Sequence, residues 1–356
     1  MVAPSSPPTT NTLAAIVGVA RFCVPAFVIV SGLVLSHGRR ERPRALPFLQ
    51  RRWTRVLAPW AFWTAVFLTV GLIRGEVPTN LPAAAQWLSR GPDHLYFLLL
   101  IAQLYLVMLV VPRRGRGLLA FVAIAFAVQL GLCWARTSRP VLHGALGWMY
   151  TDAAFEAAPF YVGYFAFGCL LGAEYERVRR LRRLWPVAAL TTVLGGMLMF
   201  WNSHHIASDH WLQSTYAYLW PSRVPMTIAM VMCVIWGGGW VRQKLAVLWP
   251  VVHGMSRHSL GIYAFHVLVV TAAGTLTAAW PVNVRFSVMV AAAIAISYPV
   301  VNRMARSPLA WAVGESSAPA PGTVYIAAAR SGVATCQMPS SPSPLASPGA
   351  PSLAKR

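Results

Sequence analysis

The chain has 356 residues, of which 57% are hydrophobic and only 11% are charged, and its formal net charge is +21. A soluble domain carries roughly a quarter charged residues, so the composition excludes an ordinary soluble protein and predicts an all-α bundle of transmembrane helices. The positive charge does not indicate nucleic-acid binding, because the arginines lie between apolar segments and not along one face of a soluble element. The cysteines show neither a pairing pattern nor metal-ligand spacing, so no metal site is expected.

The sequence divides into a short tail, a membrane domain and a long tail. Residues 1–11 are rich in Pro, Ser and Thr, lack the basic region of a signal peptide and are predicted to be a disordered tail. A spanning helix needs ~20 mainly apolar residues, and a membrane domain over residues 12–306 contains about nine such segments. Their approximate bounds are 13–36, 56–74, 94–112, 117–135, 155–173, 184–201, 223–240, 259–280 and 284–302. Residues 307–356 are rich in Ser, Pro, Ala and Gly and are predicted to be a disordered cytosolic tail.

Loops rich in positive charge alternate with poor ones along the chain. The rich loops follow the odd-numbered predicted spans and carry Arg39, Arg40, Arg42, Arg44, Arg51, Arg52, Arg55, Arg113, Arg114, Arg116, Arg177, Arg179, Arg180, Arg182, Arg183, Arg242, Lys244, Arg257, Arg303 and Arg306. Because cytoplasmic loops are enriched in Lys and Arg, this pattern predicts a multi-pass plasma-membrane protein with its amino terminus outside and its carboxyl terminus in the cytosol. An even number of spans is the commoner arrangement, so we expect that one amino-terminal helix is missing from the sequence.

An arginine pair enters the second predicted span. Arg52 and Arg55 are three residues apart, so on a helix they share a face. At the start of a helix they could bind phosphate groups through bidentate hydrogen bonds added to the field of the helix dipole. The alternative is that both are ordinary cytosolic-side arginines in contact with lipid headgroups.

Two histidines are candidates for chemistry inside the bundle. His94 follows Asp93 at the outer end of the third predicted span, where it is either an interfacial histidine or a polar group at the mouth of a cavity. His266 lies within the eighth predicted span, and an ionisable group inside a membrane is a functional hypothesis by default. The alternative for His266 is a neutral ring that is satisfied by a neighbouring carbonyl.

Five segments, in chain order, resemble the acyltransferase-3 family of integral membrane acyltransferases. They are FVIVSGLVL, FLQRRWTRVLAPW, DHLYFLLLIAQLYLVMLVVP, FYVGYFAFGCLLG and SRHSLGIYAFHVLVV. The usual family forms are an FFxxSG helix, an RxxR helix start, an HxWFL segment, a YFxxG-like helix and an IYLxH helix. The resemblance covers residues 22–315 and implies a bundle of ten helices.

The resemblance also implies an activity and a set of site residues. Family members move an acyl group, often acetyl, from cytosolic acyl-CoA to a hydroxyl of an extracytoplasmic carbohydrate or lipid-linked glycan. The RxxR arginines match Arg52 and Arg55, which implies contact with the phosphates of acyl-CoA. The HxWFL and terminal-helix histidines match His94 and His266, which are therefore the expected catalytic residues.

The sequence departs from the family at the group expected to act as general base. The family's first helix carries a basic residue and, after ten intervening residues, a histidine. Arg21 would need a histidine where Gly32 stands, and His37 and His94 would each need a basic residue where Ala26 and Ala83 stand, so the amino-terminal part of the sequence does not complete the spacing. Because a general base contributes roughly 10²–10⁴ in rate, we expect either a longer natural chain or a member with slow transfer.

Three functions are therefore open at the level of sequence. The first is an integral membrane acyltransferase, with acyl-CoA as co-substrate and a glycan or lipid-linked sugar as acceptor. The second is an exporter of a glycan or small metabolite, and the third is a non-catalytic membrane partner. Sequence does not distinguish among acyl groups or acceptors.

Overall fold

The computed structural model describes residues 22–38, 44–76, 94–137, 156–205 and 223–315, without the side chains of residues 136–137 and 200–205. Every regular element within these ranges is helical, which confirms the all-α prediction. The predicted amino-terminal tail at 1–11 and the part of the predicted tail from 316 to 356 lie outside the described residues. All described residues belong to one unit, which ends at Ser317.

The α-helices overlap every predicted span. They are α1 (Cys23–Ser36), α2 (Ala45–Ile73), α3 (Tyr96–Val107), α4 (Gly115–Thr137), α5 (Val162–Ala173), α6 (Tyr175–Arg180), α7 (Trp185–His205), α8 (Arg223–Lys244), α9 (Trp249–Arg257), α10 (Ser259–Leu276) and α11 (Val282–Met304). Among the described residues, α2, α4, α8, α10 and α11 are long and apolar enough to cross a membrane, and α1, α3 and α5 are shorter apolar helices. The protein is thus a bundle of membrane helices.

Helix α2 begins earlier than its apolar run indicates. The expected start was near residue 56, whereas the helix begins at Ala45. Pro47 is compatible with this start, because the first turn of a helix does not need its N–H group. Arg52 and Arg55 therefore lie two turns or more inside α2 and not at its mouth. The dipole of α2 acts mainly within its first turn, so that part of the phosphate-binding hypothesis was wrong.

Helices α1 and α5 pack backbone against backbone at the centre of the bundle. A Cβ atom added to Gly168 would meet the carbonyl oxygen of Ile29, and one added to Gly172 would meet that of Leu33. Gly32 on α1 stands in the same relation to the carbonyl of Phe165. Small residues let membrane helices approach this closely. The close contact fixes the height and rotation of α1, which contributes to the site described below.

The fully buried side chains come mainly from α1, α3, α5 and the turn before α5. They include Ile29, Leu95, Leu98, Leu100, Leu104, Phe160, Tyr161, Tyr164 and Phe165. Helices at the periphery instead expose large apolar side chains, such as Val290 and Ile294 on α11. Outward apolar faces are what a lipid environment requires of a membrane bundle.

Residues 307–315, here called the C-terminal segment, are ordered against the bundle, whereas the sequence predicted that the tail begins at 307. Residues Ala310–Val313 form a 3-10 helix in which Ala312 is fully buried. The indole Nε1 of Trp63 on α2 donates a hydrogen bond of 2.9 Å to the carbonyl of Ala312. The membrane domain therefore extends at least to Glu315.

Candidate functional site

The two predicted arginines line one cavity of about 240 Å³. Its walls come from α1, α2, α3, the start of α10 and the C-terminal segment. Besides Arg52 and Arg55, the lining residues are Phe27, Ser31, Val56, Phe97, Leu98, Ile101, Tyr105, Ser259, Leu260, Tyr263 and Gly314. The structure therefore places both arginines in the lining of one cavity, whereas the spacing alone also allowed ordinary arginines in contact with lipid headgroups.

Both guanidinium groups are available to bind an external anion. Within the described ranges, no carboxylate lies at ion-pair distance from Arg52 or Arg55, since the ion pairs there join Arg74 with Glu76, Arg179 with Glu176 and His258 with Glu315. Arg51, one position earlier, is exposed and donates its Nε–H to the carbonyl of Pro47. Of Arg51, Arg52 and Arg55, only the last two line the cavity.

The cavity changes character along its length. Tyr105, near the carboxyl-terminal end of α3, lines the cavity together with both arginines. Phe97 lies eight residues earlier on the same helix, so it is displaced by about 12 Å at 1.5 Å per residue. One end of the cavity is therefore cationic and polar, and the other is apolar and aromatic.

The start of α10 lies at the cationic end of the cavity. Ser259 is the first residue of α10, and Leu260 follows it along the cavity wall. The first backbone hydrogen bond of α10 runs from the N–H of Ile262 to the carbonyl of His258. The initial N–H groups of a helix have no partner within it and favour negative charge. The helix terminus next to the arginines is thus that of α10 and not that of α2.

Three aromatic rings close the apolar end. The ring centroids of Phe27 and Phe97 lie 5.9 Å apart, and those of Phe97 and Tyr263 lie 5.3 Å apart. The hydroxyl of Tyr263 donates a hydrogen bond to the backbone carbonyl of His94. Tyr263 is thereby fixed between the cavity and the turn that precedes α3.

The two predicted histidines lie together, but outside the cavity lining. The ring centroids of His94 and His266 are 6.0 Å apart, and each lies about as far from the ring of Tyr263. The structure brings the histidines to one another and the arginines to one another. Tyr263 stands where the two groups meet.

Hydrogen bonds to backbone carbonyls indicate which ring nitrogen of each histidine carries the proton. The Nδ1 atom of His266 lies 2.7 Å from the carbonyl oxygen of Tyr263, and the Nε2 atom of His94 lies 3.3 Å from that of Ala264. A carbonyl can only accept, so in the neutral rings these nitrogens carry the proton. Nε2 of His266 and Nδ1 of His94 then hold lone pairs and can accept a proton.

Sequence reasoning missed the polar residues that complete the cavity. Ser259, Tyr263 and Gly314 were not singled out, although the first two lie within the segment SRHSLGIYAFHVLVV. Gly314 lies in the segment that was expected to be disordered. Only the resemblance of that helix to a family motif could have drawn attention to Tyr263.

A family model described as an acyltransferase domain, Acyl_transf_3, matches residues 1–302, which is most of the chain. No curated protein and no solved structure matches the sequence.

Proposed function

Because the chain belongs to the acyltransferase-3 family of membrane acyltransferases, we propose that it transfers an acyl group, in the first instance acetyl, from acyl-CoA. The acceptor we propose is a hydroxyl of an extracytoplasmic glycan or lipid-linked sugar. The observation that carries the proposal is the pairing of Arg52 with Arg55 on one cavity with no carboxylate partner in the described ranges. This supports an anionic co-substrate on the side that the charge pattern predicts to be cytosolic.

In this proposal the cationic end of the cavity binds phosphate groups of acyl-CoA. An arginine can form two parallel hydrogen bonds with phosphate, and charge-assisted bonds are about twice as strong as neutral ones. The first N–H groups of α10 supply further donors beside the arginines. The pocket lining from Val56, Leu98 and Ile101 is apolar and suits the uncharged part of the same molecule.

The chemistry requires a proton acceptor near the acceptor hydroxyl. That hydroxyl oxygen attacks the thioester carbonyl, the carbon–sulfur bond breaks, the base takes the hydroxyl proton, and the departing thiolate of CoA is released. The amino-terminal part of this sequence does not carry the family's spacing of a basic residue and a histidine. We assign the base to the pair formed by His266 and His94, each of which presents an unprotonated ring nitrogen.

The proposed orientation places the multi-pass protein in the plasma membrane, with the arginines on the cytosolic side and the histidines nearer the outer side. Acyl-CoA is then drawn from the cytosol and the glycan from outside. The chain's positive-inside alternation supports this arrangement.

A binding experiment on purified, reconstituted protein tests the donor site. We expect Arg52→Ala and Arg55→Ala each to weaken binding of CoA by roughly tenfold or more, since a hydrogen bond to a charged group is worth about 1.5–3 kcal/mol. Arg51→Ala is the matched control, because it removes the same charge from a position on the same helix that does not line the cavity. Equal losses in all three variants would mean that general electrostatic attraction, and not the cavity, binds CoA.

A transfer assay separates the enzyme from an exporter. Labelled acetyl-CoA is mixed with the protein and a crude cell-envelope extract, and label in the glycan fraction is measured. Transfer that is lost in the Arg52→Ala and Arg55→Ala double variant supports the enzyme. Glycan movement across vesicles without acyl transfer would favour export.

A further inference from the structure

The C-terminal segment forms one wall at the cationic end of the cavity. Gly314 lines the cavity together with Arg55 on α2 and Leu260 on α10. The segment is attached to α2 by the hydrogen bond from Trp63 to Ala312, in which the two atoms lie 2.9 Å apart. The C-terminal segment, which the sequence predicted to be part of a disordered tail, therefore lies beside Arg55, which we assign to phosphate binding.

A hydrogen bond joins this segment to the residue that precedes α10. Nδ1 of His258 lies 3.0 Å from Oε1 of Glu315, and the two side chains are only 9% and 25% exposed. His258 is the residue between α9 and α10, directly before Ser259. Glu315 directly follows Gly314. The pair therefore links two neighbours of the cavity lining that belong to separate parts of the chain.

The backbone conformation and the close packing at Gly314 restrict the position of the C-terminal segment. Its φ angle is 79°, a left-handed conformation that glycine adopts without strain. A Cβ atom at this position would collide with the side chain of Leu260 and would lie 3.3 Å from the carbonyl oxygen of Arg55. A displacement of the segment would therefore alter the packing around the backbone of Arg55 and the side chain of Leu260.

We propose that Glu315 is a positioning residue of the donor site, which acts through His258. The hydrogen bond between His258 and Glu315 holds the C-terminal segment against the first turn of α10, beside Arg55. Phosphate groups then meet the guanidinium group and the N–H groups of α10 at once. The inference rests on the proposed function, because it assigns to Glu315 a role in binding the same anionic co-substrate.

The test measures CoA binding and acyl transfer by the full-length protein in lipid. We expect Glu315→Ala to raise the Kd for CoA and the KM for acetyl-CoA by about tenfold, in keeping with the loss of one charge-assisted bond. The kcat at saturating acetyl-CoA and the unfolding temperature should change little. Glu315→Gln retains an acceptor oxygen for His258 and should lose no more than about threefold.

A double-mutant cycle separates positioning from a general structural effect. His258→Ala alone and the double variant His258→Ala with Glu315→Ala should each resemble Glu315→Ala, because both remove the same bond. Glu76→Ala is the matched control, since it removes a carboxylate that is paired with Arg74 at 2.9 Å on an exposed surface. If Glu315→Ala does not accumulate, Glu315→Asp replaces it: weaker CoA binding than Glu315→Gln supports the inference, and equal affinity overturns it.

The outcomes distinguish this inference from the proposed function. Unchanged CoA binding by Glu315→Ala, together with a loss in Arg52→Ala, overturns the role of Glu315 and leaves the donor site intact. Unchanged binding in Arg52→Ala and Arg55→Ala overturns the donor site itself. Losses that add up in the double variant would show that Glu315 and His258 act separately, which contradicts the inference.

Discussion

Substitution of Gly168 by alanine tests how the fold supports the site. The added Cβ atom would meet the carbonyl oxygen, the carbonyl carbon and the Cα atom of Ile29. These are backbone atoms, which cannot rotate away as the end of a side chain can, so α1 and α5 must separate. Because α1 supplies Phe27 and Ser31 to the cavity, the separation also shifts one wall of the donor site.

The expected magnitude follows from two opposing effects. Alanine is favoured over glycine in a helix interior by about 1 kcal/mol, which alone would stabilise the protein. Overpacking costs about 1–3 kcal/mol, and here it falls at the upper end because backbone atoms collide. The net expectation is a loss of about 1–2 kcal/mol, or several degrees in unfolding temperature at about 2–4 °C per kcal/mol.

Gly131→Ala is the matched control for this prediction. Gly131 lies on α4, and a Cβ atom there would meet no atom within 4 Å. The same substitution should therefore leave the unfolding temperature unchanged or raise it. Thermal unfolding of both variants in detergent gives the comparison, with CoA affinity measured in parallel. If Gly168→Ala proved as stable as Gly131→Ala, the close contact between α1 and α5 would not be a determinant of the fold.

Two further predictions concern catalysis and orientation. His266→Ala and His94→Ala should each be assayed for acyl transfer at saturating acetyl-CoA. The variant that removes the base should lose roughly 10²–10⁴ in kcat with little change in CoA affinity. Losses below tenfold in both variants would refute the assignment. In a background without native cysteines, Glu76→Cys should react with an impermeant maleimide added from outside, whereas Arg180→Cys should react only after the membrane is permeabilised; the opposite pattern would reverse the proposed orientation.

The class of fold could be predicted from the sequence because it depends on local properties. A long apolar run is sufficient to predict a membrane helix, and each such run overlaps a helix of the described residues. The boundaries were less predictable. The first turns of α2 carry exposed residues such as Leu46 and Arg51, so the helix continues well beyond its apolar part.

The candidate site could be predicted only where its residues are neighbours in sequence. The spacing of Arg52 and Arg55 predicts that they share a face, whereas the walls that they face come from four other parts of the chain. Nothing in the local pattern around Ser259 or Gly314 indicates that these residues meet. The C-terminal segment was missed because the composition of residues 307–356 as a whole is typical of disorder, and five residues, Leu309–Val313, were too few to alter that average.

In the proposed reaction, Tyr263 lies between the arginines that bind the donor and the histidines that we assign as the base. The phosphates of acyl-CoA carry charges that make entry into the apolar end of the cavity costly, so in our proposal they remain with Arg52 and Arg55. The acyl group is uncharged and can approach the aromatic end. The ring of Tyr263 lies 5.9 Å from that of His266, on the path between that end and the histidines. In our proposal only the small, uncharged acyl end of the donor approaches Tyr263 and the histidines that neighbour it, while the charged part stays at the arginines.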